Sequence, residues 1–193
     1  MHSHYSMNYD PDSGLIDVAR YVASDNCDER PQGAGVETLI VHAISLPPGE
    51  FGGLGIEQLF CNSLDADEHP YYSEICELKV SAHLLVRRDG EVVQFVPLNQ
   101  RAWHAGVSEC LGRENVNDFS IGVELEGSDD APFEDIQYER LAQLTNVIRQ
   151  AFPAITPDNI YGHSDIAPGR KTDPGPHFDW QRFRALFSQT AQG

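Results

Sequence analysis

Residues 80–97 decide the fold reading: Val80-Ser81-Ala82-His83-Leu84-Leu85-Val86-Arg87-Arg88, then Asp89-Gly90, then Glu91-Val92-Val93-Gln94-Phe95-Val96-Pro97. Two apolar, β-branched runs flank a dipeptide that tolerates positive φ, which reads as a β-hairpin with a two-residue type I′ turn at Asp89-Gly90. Further on, Ser120-Ile121-Gly122-Val123-Glu124-Leu125-Glu126-Gly127 alternates with period two and reads as a strand. Val123 and Leu125 face one way and Glu124 and Glu126 the other, so one face of that strand carries two carboxylates.

Helices follow the strands. From Ile136 through Phe152, Leu141, Leu144, Thr145, Ile148 and Phe152 recur at spacings of three or four, the mark of a helix covering a sheet. A terminal amphipathic stretch holds Trp180, Phe183, Leu186 and Phe187, and a short helix is expected around residues 55–60. An acidic loop is expected over residues 64–72, and the apolar stretch 14–22 reads as a short strand or ribbon. The pattern predicts an α/β (α+β) fold, a central mixed β-sheet flanked by helices. The 193 residues suffice for one domain with its own core, and no internal repeat or linker divides them. The expected division is an N-terminal extension, 1–30, packed on a domain spanning 31–190.

Composition narrows the partners. The formal net charge of −17 is spread along the chain and repels polyanions, so nucleic acid is not an expected partner. No apolar run approaches the roughly 18 residues of a membrane span. The first ten residues show no positive region, apolar core or cleavage pattern, so the expectation is a cytoplasmic monomer away from membranes. Cys27, Cys61, Cys76 and Cys110 are widely spaced and read as reduced thiols rather than as a disulfide framework or a metal pair.

The chemistry concentrates in Gly162-His163-Ser164-Asp165-Ile166-Ala167-Pro168-Gly169-Arg170-Lys171-Thr172-Asp173-Pro174-Gly175. This loop holds an imidazole, a carboxylate and a mobile cation within a dozen residues, the parts of a catalytic zinc site and its electrostatic helper. A third ligand must come from elsewhere. The run Glu37-Thr38-Leu39-Ile40-Val41-His42 reads as a strand ending near a histidine, so His42, His163 and Asp173 form a candidate open set for one Zn2+ per chain. Such a nitrogen and oxygen set also accepts cobalt or nickel in vitro. A glutamate on the acidic face of strand 120–127 is a candidate general base, with Glu124 and Glu126 both open.

Five motifs in chain order resemble a known family: Val41-His42 with Ile44-Ser45-Leu46-Pro47-Pro48-Gly49, Val80-Ser81-Ala82-His83, Arg101-Ala102-Trp103-His104-Ala105-Gly106-Val107-Ser108, Asn117 through Gly127, and the His163–Asp173 loop. Together they resemble the zinc amidases of the amidase-2 group, relatives of the peptidoglycan-recognition proteins, and in particular the cytoplasmic 1,6-anhydro-N-acetylmuramoyl-L-alanine amidases. The resemblance covers about Arg30 to Phe187. It implies an amidase-2-like single domain in which His42, His163 and Asp173 bind zinc, Glu124 accepts a proton and Lys171 stabilises the transition state. It also implies the substrate, a small anhydromuropeptide recycled from the cell wall, cleaved between the lactyl group of the sugar and L-alanine.

Trp103, His104 and Ala167 are candidate substrate-binding residues, an aromatic face suiting the apolar side of a sugar. His83 reads as structural or as a support to a ligand, and Arg170 as a surface cation. Three positions depart from the family pattern: Ala43 where asparagine is common, and Lys79 and Asn115 where arginine is expected. Losing planar bidentate donors weakens a grip on stem-peptide carboxylates.

Overall fold

A computed structural model describes residues 7–189; residues 1–6 and 190 of the expected division lie outside the described residues. Six strands form one mixed sheet: β1 (Arg20–Tyr21), β2 (Thr38–Ile44), β3 (Leu84–Val86), β4 (Val92–Gln94), β5 (Ser120–Glu126) and β6 (Ile160–Gly162). Their spatial order is β6-β2-β5-β3-β4-β1. β5 runs parallel to both β2 and β3, β6 parallel to β2 and β1 parallel to β4, whereas β3 and β4 form the antiparallel hairpin. This is the expected mixed sheet flanked by helices.

Both faces of the sheet are covered, which is why β2 and β3 read as nearly continuous apolar runs. On one face lie α3 (Asp135–Ala151) and α5 (Trp180–Gln189). There Leu141, Leu144, Ile148, Phe183 and Phe187 pack on Leu39, Val41, Val123 and Leu125. α3 starts with a capping box, Glu134 and Gln137 exchanging side-chain and backbone hydrogen bonds. Gln137 also donates to Val86 O and Glu126 O, fixing the helix to the ends of β3 and β5.

The opposite face carries two separate clusters. α1 (Gly55–Phe60) and α2 (Pro70–Ile75) put Ile56, Leu59, Phe60 and Tyr72 onto Leu85, Val93 and Phe95. Some distance along the sheet, Ile40, Ala105, Val116, Phe119 and Ile166 form the second. Between them this face holds polar side chains instead of apolar ones.

Several local expectations are corrected. The hairpin turn is not type I′: Gly90 alone has positive φ (+87°), and its N–H donates to Arg87 O, so the strands are joined by a longer loop with glycine at the bulge. The acidic loop gives way to α2 from Pro70 onward, where the His69 side chain accepts Tyr71 N–H and Pro70 opens the helix without needing a donor. Strand β6 was not expected, being three residues long and short of periodicity. The 14–22 stretch contains Leu15–Ile16, paired with Tyr9–Asp10, and then β1 at the sheet edge.

The N-terminal residues are held by polar contacts. Gln94, fully buried on β4, donates to Gly14 O and accepts Ile16 N–H. Arg20 of β1 pairs with Glu57 and Glu91, and Arg87 with Glu57, Glu91 and Glu126, so a ladder of charges runs from the sheet edge to buried Glu126. The four cysteines are free. No described helix is long and apolar enough to cross a membrane.

Phe183 is fully buried against Phe178, Trp180 and Phe187. Phe183→Ala is expected to lower unfolding stability by about 3–5 kcal/mol, measured by urea titration. A loss below about 1 kcal/mol would mean that α5 does not share the main core.

Candidate active site

The polar gap lies at the carboxyl ends of three neighbouring parallel strands, the place where open α/β sheets hold ligands. His42 is the fifth residue of β2 and Glu124 the fifth of β5, and the two are direct register partners, so both side chains leave the same face side by side. His163 follows the last residue of β6 and opens α4 (His163–Ile166). The loop beyond it turns back, because Ser164 N–H donates to Asp173 O and both Arg170 and Lys171 N–H donate to Ala167 O. That closure returns Asp173 to His163.

Three donor atoms converge. His42 Nδ1 lies 3.0 Å from His163 Nδ1 and 3.3 Å from Asp173 Oδ2, and His163 Nδ1 lies 3.1 Å from the same oxygen. Tetrahedral ligands about 2.05 Å from a metal stand roughly 3.3 Å from one another, so these spacings fit a divalent cation of zinc's size. Among the described residues this is the one group of three or more His, Cys, Asp or Glu side chains placed to hold a metal. The outer nitrogens are engaged too: His42 Nε2 lies 2.8 Å from His104 Nδ1, and His163 Nε2 3.1 Å from Ala105 O.

The electrostatics favour a neutral imidazole beside a carboxylate. Burial, helped by the neighbouring His163, lowers the His42 pKa to about 4 against the pull of Asp173. Burial alone would raise Asp173, but its hydrogen bonds to His163 and His42 outweigh that and hold its carboxyl well below the usual range. Glu124 goes the other way: burial and then the Asp173 charge push it well above the usual carboxylate value, with Lys171 opposing.

The structure separates the two glutamates left open above. Glu126 accepts from Arg87 Nη1, Gly52 N–H and Arg88 N–H, so its carboxylate is fully engaged. Glu124 is 8 % exposed and its Oε2 has no hydrogen-bond partner. It borders a cavity of about 600 Å³ shared with His42, His163, Asp173 and Lys171. Tyr71, Ile75 and Leu78 give that cavity an apolar wall, and Asp129 and Thr172 stand on its polar side.

The remaining candidates divide. His104 reaches the floor of the cavity, but its ring is spent on His42 and on Ser120 Oγ at 3.0 Å. Trp103 lies away from the cavity, its indole N–H donating to Asp28. Ala167 lies in the turn under Lys171 and borders a separate depression shared with Asn115 and Val107. His83 supports the strand, accepting Gly122 N–H and lying 3.1 Å from Gln100 O.

Arg170 is not a free surface cation. It donates to Ala105 O and Val107 O, tying the 103–107 loop to the ligand loop. Spacing along the chain carries no signal for that bond. Ser120, also missed, did have one, since it shares a strand face with Gly122 and Glu124.

The chain is similar to known proteins over most of its length. The profile of a family described as N-acetylmuramoyl-L-alanine amidase matches residues 32–176. The 1,6-anhydro-N-acetylmuramyl-L-alanine amidase AmpD of Salmonella typhimurium (strain SL1344) is 57% identical over 176 residues, covering 91% of this chain and 94% of the relative. A crystal structure of a selenomethionine AmpD derivative superposes with a TM-score of 0.90 at 55% identity, covering 93% of this chain and 99% of that one. The E. coli amidase AmiD, solved with anhydro-N-acetylmuramic acid-L-Ala-D-γ-Glu-L-Lys, gives a TM-score of 0.57 at 30% identity, covering 82% of this chain and 60% of that one.

The buried histidines predict the acid response of the metal-free protein. A pKa lowered by folding means that the unfolded state binds more protons, so stability is full above the unfolded value and is lost as pH falls through the folded one. His42, falling from 6.5 to about 4, contributes about 3 kcal/mol in this way. His83, lowered to about 3, and His104 act with the same sign. Glu124, raised above 4.5, opposes them, since stability falls as pH rises through its window. Three groups outweigh one, so the denaturation midpoint of chelated protein is expected to drop between pH 7 and pH 5. A rise would show that Glu124 dominates.

Proposed function

Because the chain belongs to the N-acetylmuramoyl-L-alanine amidase family, we propose that it is a zinc-dependent hydrolase of anhydromuropeptides. The bond cleaved joins the lactyl group of 1,6-anhydro-N-acetylmuramic acid to L-alanine of the stem peptide. The observation that carries the reading is the convergence of His42 Nδ1, His163 Nδ1 and Asp173 Oδ2 at a cavity that Glu124 also lines. The choice of an anhydro sugar is supported by the name of the 57% identical relative and by the ligand in the AmiD complex.

His42, His163 and Asp173 would hold the metal, two neutral donors and one anion leaving a position open. When bound, zinc would polarise the scissile carbonyl and make the attacking water more acidic. An oxygen of the Glu124 carboxylate, which borders the cavity, accepts the proton that water gives up as its oxygen bonds to the carbonyl carbon. The same oxygen then delivers that proton to the departing nitrogen as the C–N bond breaks, freeing a lactyl carboxylate and the α-amine of L-alanine. A carboxylate whose pKa is raised by burial suits both halves of this task.

Lys171 borders the cavity and acts electrostatically on both Glu124 and His42. Its charge offsets the negative charge that develops on the carbonyl oxygen. A cytoplasmic setting belongs to the same proposal, supported by four unbridged thiols and by a strongly acidic chain that anionic wall polymers would repel.

Mass spectrometry of a defined anhydromuramoyl tripeptide incubated with the protein tests metal, bond and substrate together. Free anhydro sugar and intact tripeptide should appear, stop on chelation and return with zinc. No cleavage by folded, zinc-loaded protein would overturn the reading. Among variants, Glu124→Gln should lower kcat by about 10²–10⁴. Lys171→Ala should cost on the order of 10²–10³ in kcat while keeping its zinc. His163→Ala should lose the metal itself; equal zinc loss in both would remove the role assigned to Lys171.

A further inference from the structure

We propose that His104, backed by Ser120, is a positioning residue that determines which nitrogen of His42 faces the metal position. The inference rests on the zinc reading above and assigns a function to a buried chain of side chains that the reaction does not itself use.

Each proton in the chain is fixed by the next. A ligating nitrogen must present its lone pair, and His42 Nδ1 is the atom facing His163 and Asp173. The N–H of neutral His42 therefore sits on Nε2, 2.8 Å from His104 Nδ1, which must accept it. His104 in turn carries its own proton on Nε2 and donates it to Ser120 Oγ at 3.0 Å. His42, His104 and Ser120 are all buried, although His104 borders the cavity, so a lost partner leaves a buried polar group behind.

The surroundings prevent His104 from turning away. Its backbone N–H and that of Ala105 both donate to Asn117 Oδ1, at 3.1 and 2.8 Å. Its ring sits where a side chain on residue 122 would otherwise be: a Cβ on Gly122 would lie 2.5 Å from His104 Cγ. β5 therefore presents three alternate residues on one face with three tasks, Ser120 as anchor, Gly122 as space for the imidazole and Glu124 at the cavity.

The other histidine is oriented differently. His163 Nε2 faces Ala105 O, a main-chain acceptor that no substitution at residue 105 removes. Arg170 Nη2 donates to the same carbonyl and lies 3.4 Å from His163 Nε2, whereas the acceptor behind His42 is itself a side chain. Acceptors behind metal-bound histidines affect metal affinity by about 10–100-fold.

The test compares His104→Leu, which removes the acceptor, with His104→Asn, whose amide oxygen can take the place of Nδ1. Zinc dissociation constants come from chelator competition, and the visible spectrum of the cobalt-loaded protein reports the ligand field. His104→Leu is expected to bind zinc about 10–100-fold more weakly with an altered cobalt spectrum, and His104→Asn to recover most of both. Unchanged affinity in His104→Leu overturns the proposal, as does equal weakening in the two variants, which would point to ring packing alone.

Should His104→Leu not fold, side-chain 15N NMR of the zinc-loaded wild type decides: protons on Nε2 of both His42 and His104 support the proposal, and a proton on Nδ1 of His104 overturns it. A wild type that binds no zinc removes the metal reading and this inference together. Tight wild-type binding with no effect of His104→Leu removes this inference alone.

Discussion

The parallel pairing of β2 with β5 is the constraint on which the site depends. Its register sets His42 against Glu124 and leaves Val41 and Val123 on the other face, under α3. A slip of one residue would turn both polar side chains into the α3 and α5 core and put valines in the cavity. The apolar packing that fixes the register therefore also fixes the site, and the most deeply buried part of the molecule serves as its reference frame. His163 joins the frame through β6, which pairs with β2 on its other side.

The site exists because the two apolar clusters on that face do not meet. α1 and α2 close one part of the sheet, the 105–119 region and Ile166 another, and polar groups line the space between. Burial there would be costly for isolated charges, and the structure answers by pairing or neutralising them. Asp173 keeps its charge against two histidines, Glu126 is ion-paired with Arg87, and Glu124, with an oxygen unpartnered, is driven toward the protonated form. Two carboxylates on one strand thus acquire different properties from their neighbours alone.

Those neighbours mark the limit of what the chain reveals when read in order. The alternation of residues 120–126 and the helical spacing of Leu141, Leu144 and Ile148 are local patterns, and the sheet and α3 follow from them directly. His42, His163 and Asp173 were legible because imidazole and carboxylate stand out in strand-end and Gly/Pro-bounded settings. The family resemblance favours Glu124 over Glu126, but the difference in their surroundings depends on Arg87 and Gly52, 39 and 74 residues away from Glu126, and strand alternation does not encode it. The position of Trp103 outside the cavity is hidden for the same reason, since its partner Asp28 is 75 residues distant. α2 was hidden by the proline at its start and the acidic residues before it, β6 by its three-residue length, and the hairpin turn because one glycine at positive φ serves more than one loop type.

Edge strand β1 is held to the sheet in an unusual way. Both of its residues are exposed, so it offers the core almost no apolar side chain, and beyond its backbone ladder it is tied down by Arg20 against Glu57 and Glu91. A charged edge also discourages a second molecule from adding a strand there. Ionic strength then distinguishes this border from the rest of the sheet: mobile ions screen exposed charge pairs but leave apolar contacts intact. In concentrated salt the molecule would begin to loosen along this one margin, at the far end of the sheet from the strands that carry His42 and His163, and the site would be the last part to sense it.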